Sequence, residues 1–257
     1  MVTKTGIVIQ ARIGSTRLPN KIMANLGGKP ELEHVYDRCK MANVDKVIIA
    51  TSTKKENDVI EKFCKEKNID FFRGSENDVL DRFYKTAKKF ELDVIIRATG
   101  DCPLISPEVI NKVIEGFKKQ KVDYLSNAIK RSYPRGLDIE IFSFETLEKA
   151  HKMAKKKPER EHVTSYIYGN PKKFKIGHLM VKGWLNHPEI RLCLDTKEDL
   201  KLLKIIYNEL KVNKITPIKK IINFLEKNPH LIKLNNSSEI EQLKKNKLEG
   251  VKQKVLK

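Results

Sequence analysis

Ile7-Val8-Ile9-Gln10-Ala11-Arg12-Ile13-Gly14-Ser15-Thr16-Arg17-Leu18-Pro19-Asn20-Lys21 starts as an apolar run and breaks into a loop with two arginines, a lysine, two hydroxyls and a glycine. Residues 6–11 read as a strand of a buried parallel sheet. Ligands of open α/β sheets sit just beyond the carboxyl ends of such strands. Arg12, Ser15, Arg17 and Lys21 are the donors a polyphosphate needs, the arginines as rigid forks and the lysine as a mobile point charge. The plain alternative is a solvated turn in a lysine-rich chain. Four phosphate-type donors within about ten residues of a strand end favour the phosphate site. The loop is neither a Walker loop nor a Gly-x-Gly-x-x-Gly fingerprint, and Gly27-Gly28-Lys29 comes too late and lacks the hydroxyl.

Outward from this loop, the pattern alternates. Helical spacing is read over 30–42, 55–67 and 77–90, and buried-type strands over 46–51, 70–72 and 94–98. Such β-α-β alternation implies parallel strands with right-handed crossovers. The strands end at Ala11, Ala50, Phe72 and Ala98. Ser106 and Pro107 start a helix over 106–119. A strand over 122–126, a loop over 127–136 and an alternating stretch over 137–142 follow. Ser143 caps a helix to about 155, and 159–169 reads as helical. Residues 173–181 and 189–194 read as strands, and Thr196 caps a helix to about 210. Residues 211–257 form a basic, helix-prone extension. The fold class is therefore α/β, a doubly wound, mostly parallel sheet. Residues 1–210 form the main unit and 211–257 the extension.

Three motifs carry a family resemblance. Ala11-Arg12-Ile13-Gly14-Ser15-Thr16-Arg17-Leu18-Pro19-Asn20-Lys21 resembles the signature of the cytidylyltransferases that make CMP-activated sugars, among them the CMP-KDO synthetases and acylneuraminate cytidylyltransferases. Gly100-Asp101-Cys102-Pro103 is similar to their Gly-Asp-x-Pro turn. Asp195-Thr196-Lys197-Glu198-Asp199-Leu200 resembles their late Asp-Thr-x-Glu-Asp-Leu. From residue type alone, Asp101 is either a turn cap or a Mg²⁺ ligand, and Asp195 precedes an ordinary helix cap. Ser75–Phe83, Asp123–Asn127, Tyr133–Phe142 and Arg160–Thr164 look like the SpsF spore-coat polysaccharide branch. Thr99 departs from the Gln usual in the CMP-KDO branch, which bears on acceptor specificity. The resemblance covers residues 5–210.

The resemblance implies a nucleotide-diphospho-sugar transferase (GT-A-like) fold with an extended acceptor and dimerisation region over 127–180. It implies CMP transfer from CTP to an acidic sugar or related acidic or phosphorylated acceptor, with pyrophosphate released, in a homodimer. Arg12, Lys21 and Asp101 would be catalytic. Ala11, Arg12, Ser15, Arg17, Lys21 and Arg82 would bind nucleotide, and Asp101 and Asp195 would hold Mg²⁺. Alternation over 137–142 sets Asp138 and Glu140 on one strand face, which with Arg135 and His162 would line the acceptor pocket.

The chain has 257 residues, 40% of them hydrophobic, and a net charge of +19. That is enough for one sizeable core. No run is long and apolar enough to span a membrane, and the start lacks a signal-peptide pattern, so a cytoplasmic location is expected. Cys39, Cys64, Cys102 and Cys193 are scattered and are expected as free thiols. The charge suits anionic nucleotides. No helix-turn-helix, RRM or zinc-finger pattern points to nucleic acid, which remains the rival reading as a non-catalytic binder. Sugar nucleotidylyltransferases using another NTP begin with a Gly pair that this loop lacks. Glycosyltransferases of similar fold carry Asp-x-Asp, and none occurs.

Overall fold

The computed structural model describes residues 3–235; the rest of the expected extension lies outside the described residues. Strand β1 (Thr5–Gln10) leads through the basic loop and a 3-10 turn over Lys21–Met23 to a hairpin, β2 (Asn25–Leu26) and β3 (Lys29–Pro30). Then come α1 (Glu31–Cys39), β4 (Lys46–Ser52), α2 (Asp58–Glu66), β5 (Phe71–Gly74), α3 (Val79–Lys89), β6 (Val94–Thr99) and α4 (Pro107–Gln120). The second half holds β7 (Tyr124–Ser126), β8 (Glu140–Ser143), α5 (Phe144–Met153), α6 (Lys157–Glu161), α7 (Ser165–Tyr168) and β9 (Ile176–His178). It closes with α8 (Lys197–Leu210), α9 (Ile218–Lys227) and α10 (Pro229–Ile232).

Seven strands form one sheet in the order β5-β4-β1-β6-β8-β7-β9. Strand β8 is antiparallel to both neighbours; every other pairing is parallel. Side chains alternate across a strand, and β1 uses both faces. Ile7 and Ile9 pack into one core with Leu32, Val109, Leu202 and Ile221, while Val8 packs into the other with Leu80, Phe83 and Leu147. That two-sided burial is the double winding read from the sequence. The described part of the extension folds back onto the first core, burying Ile218, Ile221, Ile222 and Leu225.

Several elements differ from the sequence reading. The hairpin β2–β3 was not expected; Gly27 and Gly28 both have positive φ, the backbone a two-residue primed turn needs. Residues 137–139 are not strand, because Asn127 takes over their backbone: its Oδ1 accepts from Ile139 N at 2.7 Å and its Nδ2 donates to Leu137 O at 2.8 Å. The helical stretch over 159–169 is split into α6 and α7 where Val163 turns left-handed at φ 56°. The strand expected over 173–181 contracts to β9. That over 189–194 reduces to a single parallel bridge between Arg135 and Arg191. Its partner loop turns away at Gly136 (φ 99°), so no ladder can extend.

Candidate active site

The loop after β1 is fixed from below. Ala11 N donates to Ala50 O at 3.1 Å and Ile13 N to Asn57 Oδ1 at 2.8 Å, while Asn57 Nδ2 donates to Ser52 Oγ at 2.8 Å. At its far end, Asn20 adopts a left-handed backbone (φ 58°) and starts the 3-10 turn. Ile22 is buried, which orients Lys21 toward the sheet edge. Because β1 and β6 run parallel, the next strand end arrives beside it, with Gly100 N donating to Gln10 O at 2.8 Å. Asp101 follows immediately.

Lys21 Nζ donates to Asp101 Oδ2 at 2.7 Å and to Asp195 Oδ1 at 2.8 Å, partners 80 and 174 residues away in sequence. Arg17 Nη2 also reaches Asp195 Oδ1, at 3.0 Å. Burial works against the charge on Lys21, but Asp101 and Asp195 outweigh it and its pKa is raised. Burial likewise works against the Asp195 carboxylate, but Lys21 and Arg191 hold its pKa well below the ordinary range.

Asp195 is held from behind. Arg191 Nη2 donates to Asp195 Oδ2 at 2.7 Å, and Arg191 Nε to Asp199 Oδ1 at 2.8 Å. The fully buried Asp199 also accepts from the backbone N–H of Asp195 and of Thr196, at 2.9 and 3.0 Å, in a capping box that starts α8. Asn235 Nδ2 donates to both Asp199 Oδ1 and Arg191 O. Arg191 and Asp199 were missed as site residues. The signal was present: an arginine inside the apolar run Ile190–Leu194 needs a buried partner.

Glu31 was also missed, because an acid at a helix start reads as a dipole partner. It is fully buried, and neither carboxylate oxygen has a partner among the described residues. Burial, then the neighbouring Asp101, raises its pKa well above the ordinary value.

The remaining sequence candidates divide. Arg12 pairs with Glu76 at 3.1 Å, and Ser15 Oγ accepts from Leu18 N at 3.5 Å within the loop. Arg82 carries its guanidinium inside the protein. It is fully buried within electrostatic reach of Glu76 and Arg12, its Nε and Nη2 lack partners among the described residues, and burial lowers its pKa to about 10. Asp138 pairs with Arg131 at 2.7 Å, and Arg135 lies in their field and that of Arg191. Glu140 does not share a strand face with Asp138: its carboxylate takes donors from Arg97, Tyr124 and Thr164, in a buried network tying β6, β7 and β8 to the start of α7. His162 is exposed at the end of α6.

Chemically, the turn after β6 and the approach to α8 offer two hard carboxylate oxygens converging on one cation, with a basic loop beside them. That donor set fits Mg²⁺, which binds through one or two carboxylates and completes its shell with water and phosphate oxygens. Among the described residues no cluster of three metal-type side chains occurs, and no helix is long and apolar enough to cross a membrane.

The cytidylyltransferase family model matches residues 6–248, past the limit of the sequence resemblance. The chain is 43% identical over 231 residues to an uncharacterized protein of Methanocaldococcus jannaschii, covering 90% of this chain and 93% of that one. It is 34% identical over 230 residues to the spore coat polysaccharide biosynthesis protein SpsF of Bacillus subtilis, covering 86% and 94%. A cytidylyltransferase structure from Leptospira borgpetersenii superimposes with a TM-score of 0.86 at 34% identity, covering 92% and 99%.

Proposed function

Since the chain belongs to the cytidylyltransferase family, we propose that it transfers CMP from CTP to an acidic sugar or a related acidic or phosphorylated acceptor, releasing pyrophosphate, in the making of a surface polysaccharide or glycan. The observation that carries the reading is the Lys21 ammonium held between Asp101 and Asp195 at the carboxyl edge of the sheet.

In this mechanism the acceptor oxygen attacks the α-phosphorus in line, and the bond to the oxygen bridging to the β-phosphate breaks. Little covalent chemistry falls to the protein, so catalysis is positioning and charge neutralisation. Arg12 and Ser15 hold the triphosphate. The amides of Ala11, Ile13 and Ser15 already donate within the protein, which leaves those of Arg12, Gly14 and Thr16 for phosphate oxygens. Arg17 and Lys21 take the charge growing on the departing pyrophosphate. Arg82 contributes to binding the nucleotide. Arg135 and Asp138, with Arg131 beside them, face the acceptor. Asp101 and Asp195 would hold Mg²⁺, which when bound neutralises phosphate charge. Pairing of two chains through 127–180 belongs to the same reading.

A pyrophosphate-release assay with each of the four NTPs and a panel of acidic sugars tests it. The expected result is turnover with CTP alone, abolished by Lys21→Ala and by Asp101→Ala in variants that melt cooperatively. Turnover with another NTP, or wild-type turnover by either variant, would sink it.

A further inference from the structure

The Lys21 ammonium occupies the place between Asp101 and Asp195 that a shared divalent cation would take, accepted at 2.7 and 2.8 Å by one oxygen from each. The surrounding charge is balanced. Asp101, Asp195 and Asp199 are matched by Lys21, Arg17 and Arg191, and burial disfavours a further negative charge on the nearby Glu31. A site without surplus negative charge gives a divalent cation little to gain from entering. A triphosphate changes that balance, because its oxygens compete for Lys21 and Arg17 and free the two carboxylates.

We infer that Lys21 is a built-in counter-ion that keeps a divalent cation out of the Asp101–Asp195 pair until a nucleotide triphosphate draws the ammonium away. Metal then enters with the nucleotide and not before it. The inference rests on the reading of Asp101 and Asp195 as the metal-holding pair. Lys21 thus has two sequential partners: the carboxylates in the free protein and the phosphates in the complex. The geometry requires only that one flexible side chain swing, since the 3-10 turn beneath it is anchored by Ile22.

Mn²⁺ binding to the full-length protein without nucleotide, read by calorimetry and by electron paramagnetic resonance of free Mn²⁺, tests this. Lys21→Met should bind Mn²⁺ at least about tenfold more tightly than wild type. Lys21→Arg, which keeps the charge, should stay at the wild-type level, and Lys21→Met with Asp101→Asn should lose the gain. Lys21→Gln serves as a second neutral variant should Lys21→Met fold poorly, with melting curves for each protein. Equal Mn²⁺ affinity in wild type and Lys21→Met, abolished in both by Asp101→Asn, would overturn the counter-ion role and leave the metal pair standing. Tight binding by Lys21→Arg would overturn it too. No Mn²⁺ binding to Lys21→Met, or binding indifferent to Asp101→Asn, would remove the metal pair itself and the counter-ion role with it.

Discussion

Glu31→Gln should gain stability relative to wild type as pH rises. In the native state this carboxyl is fully buried with no hydrogen-bond partner among the described residues, and burial and Asp101 hold its pKa well above the ordinary 4.5. In the unfolded chain it ionises near that ordinary value. Between the two pKa values the native state keeps a proton that the unfolded chain has given up. Stability is therefore undiminished below the unfolded value and falls as pH rises, by about 1.4 kcal/mol per pH unit, until the buried carboxyl also ionises. Glutamine does not titrate. Its unpartnered amide adds a constant cost, which cancels when two pH values are compared. The stability gap between Glu31→Gln and wild type should widen from about pH 5 to about pH 7, by at most about 1.4 kcal/mol per pH unit. At about 2–4 °C per kcal/mol for a chain of this size, that is at most about 3–6 °C per pH unit in the difference of melting temperatures. Circular-dichroism melts of both proteins at both pH values measure it. A gap that stays constant would refute the argument, because it would mean that Glu31 is ionised in the native state.

Asp199→Ala strips the buried Arg191 of its main partner and should destabilise by about 3–5 kcal/mol in urea titrations; a loss below about 1 kcal/mol would mean Asp195 alone satisfies that arginine. Gly136→Ala puts a methyl 2.8 Å from the Leu192 carbonyl carbon at φ 99°, so it should cost more than the about 1–2 kcal/mol of a left-handed backbone alone, seen as a lower melting temperature. Ending the chain after Leu210 removes Ile218, Ile221, Ile222 and Leu225 from the core, each worth about 1.5–3 kcal/mol. That rivals the whole stability of a domain, so the shortened protein should accumulate insoluble, and a soluble, cooperatively melting product would contradict it. CTP at about a hundred times its Kd should stabilise wild type by about 2.7 kcal/mol, with a much smaller shift in Lys21→Ala; equal shifts would place the nucleotide elsewhere.

The alternating front half was legible because buried parallel strands read as apolar runs and helices as periodic ones. Val47–Ile49 and Val94–Ile96 left little choice. The loop donors were legible for a related reason: Arg17 and Lys21 break an apolar pattern where a strand must end. Residues whose role depends on tertiary partners were harder to read. Asp138 and Glu140 look equivalent in an alternating stretch, but Asn127 captures the backbone between them and sends Asp138 to Arg131 and Glu140 to Arg97. Arg191 announced a buried charge without naming its partner. Glu31 carried no signal at all, since a first-turn acid is ordinary and only the fold puts it beside Asp101.

Asn235 donates to Arg191 O and Asp199 Oδ1 from more than two hundred residues beyond the loop that follows β1. Synthesis runs from the amino end, and structure forms as the chain emerges. The central parallel strands can therefore pair while the ribosome is still working, but the brace behind Asp195 must wait until nearly everything has been translated. Newborn, partly made copies would thus carry the loop after β1 and Asp195 without the contact that braces Arg191 and Asp199 behind it.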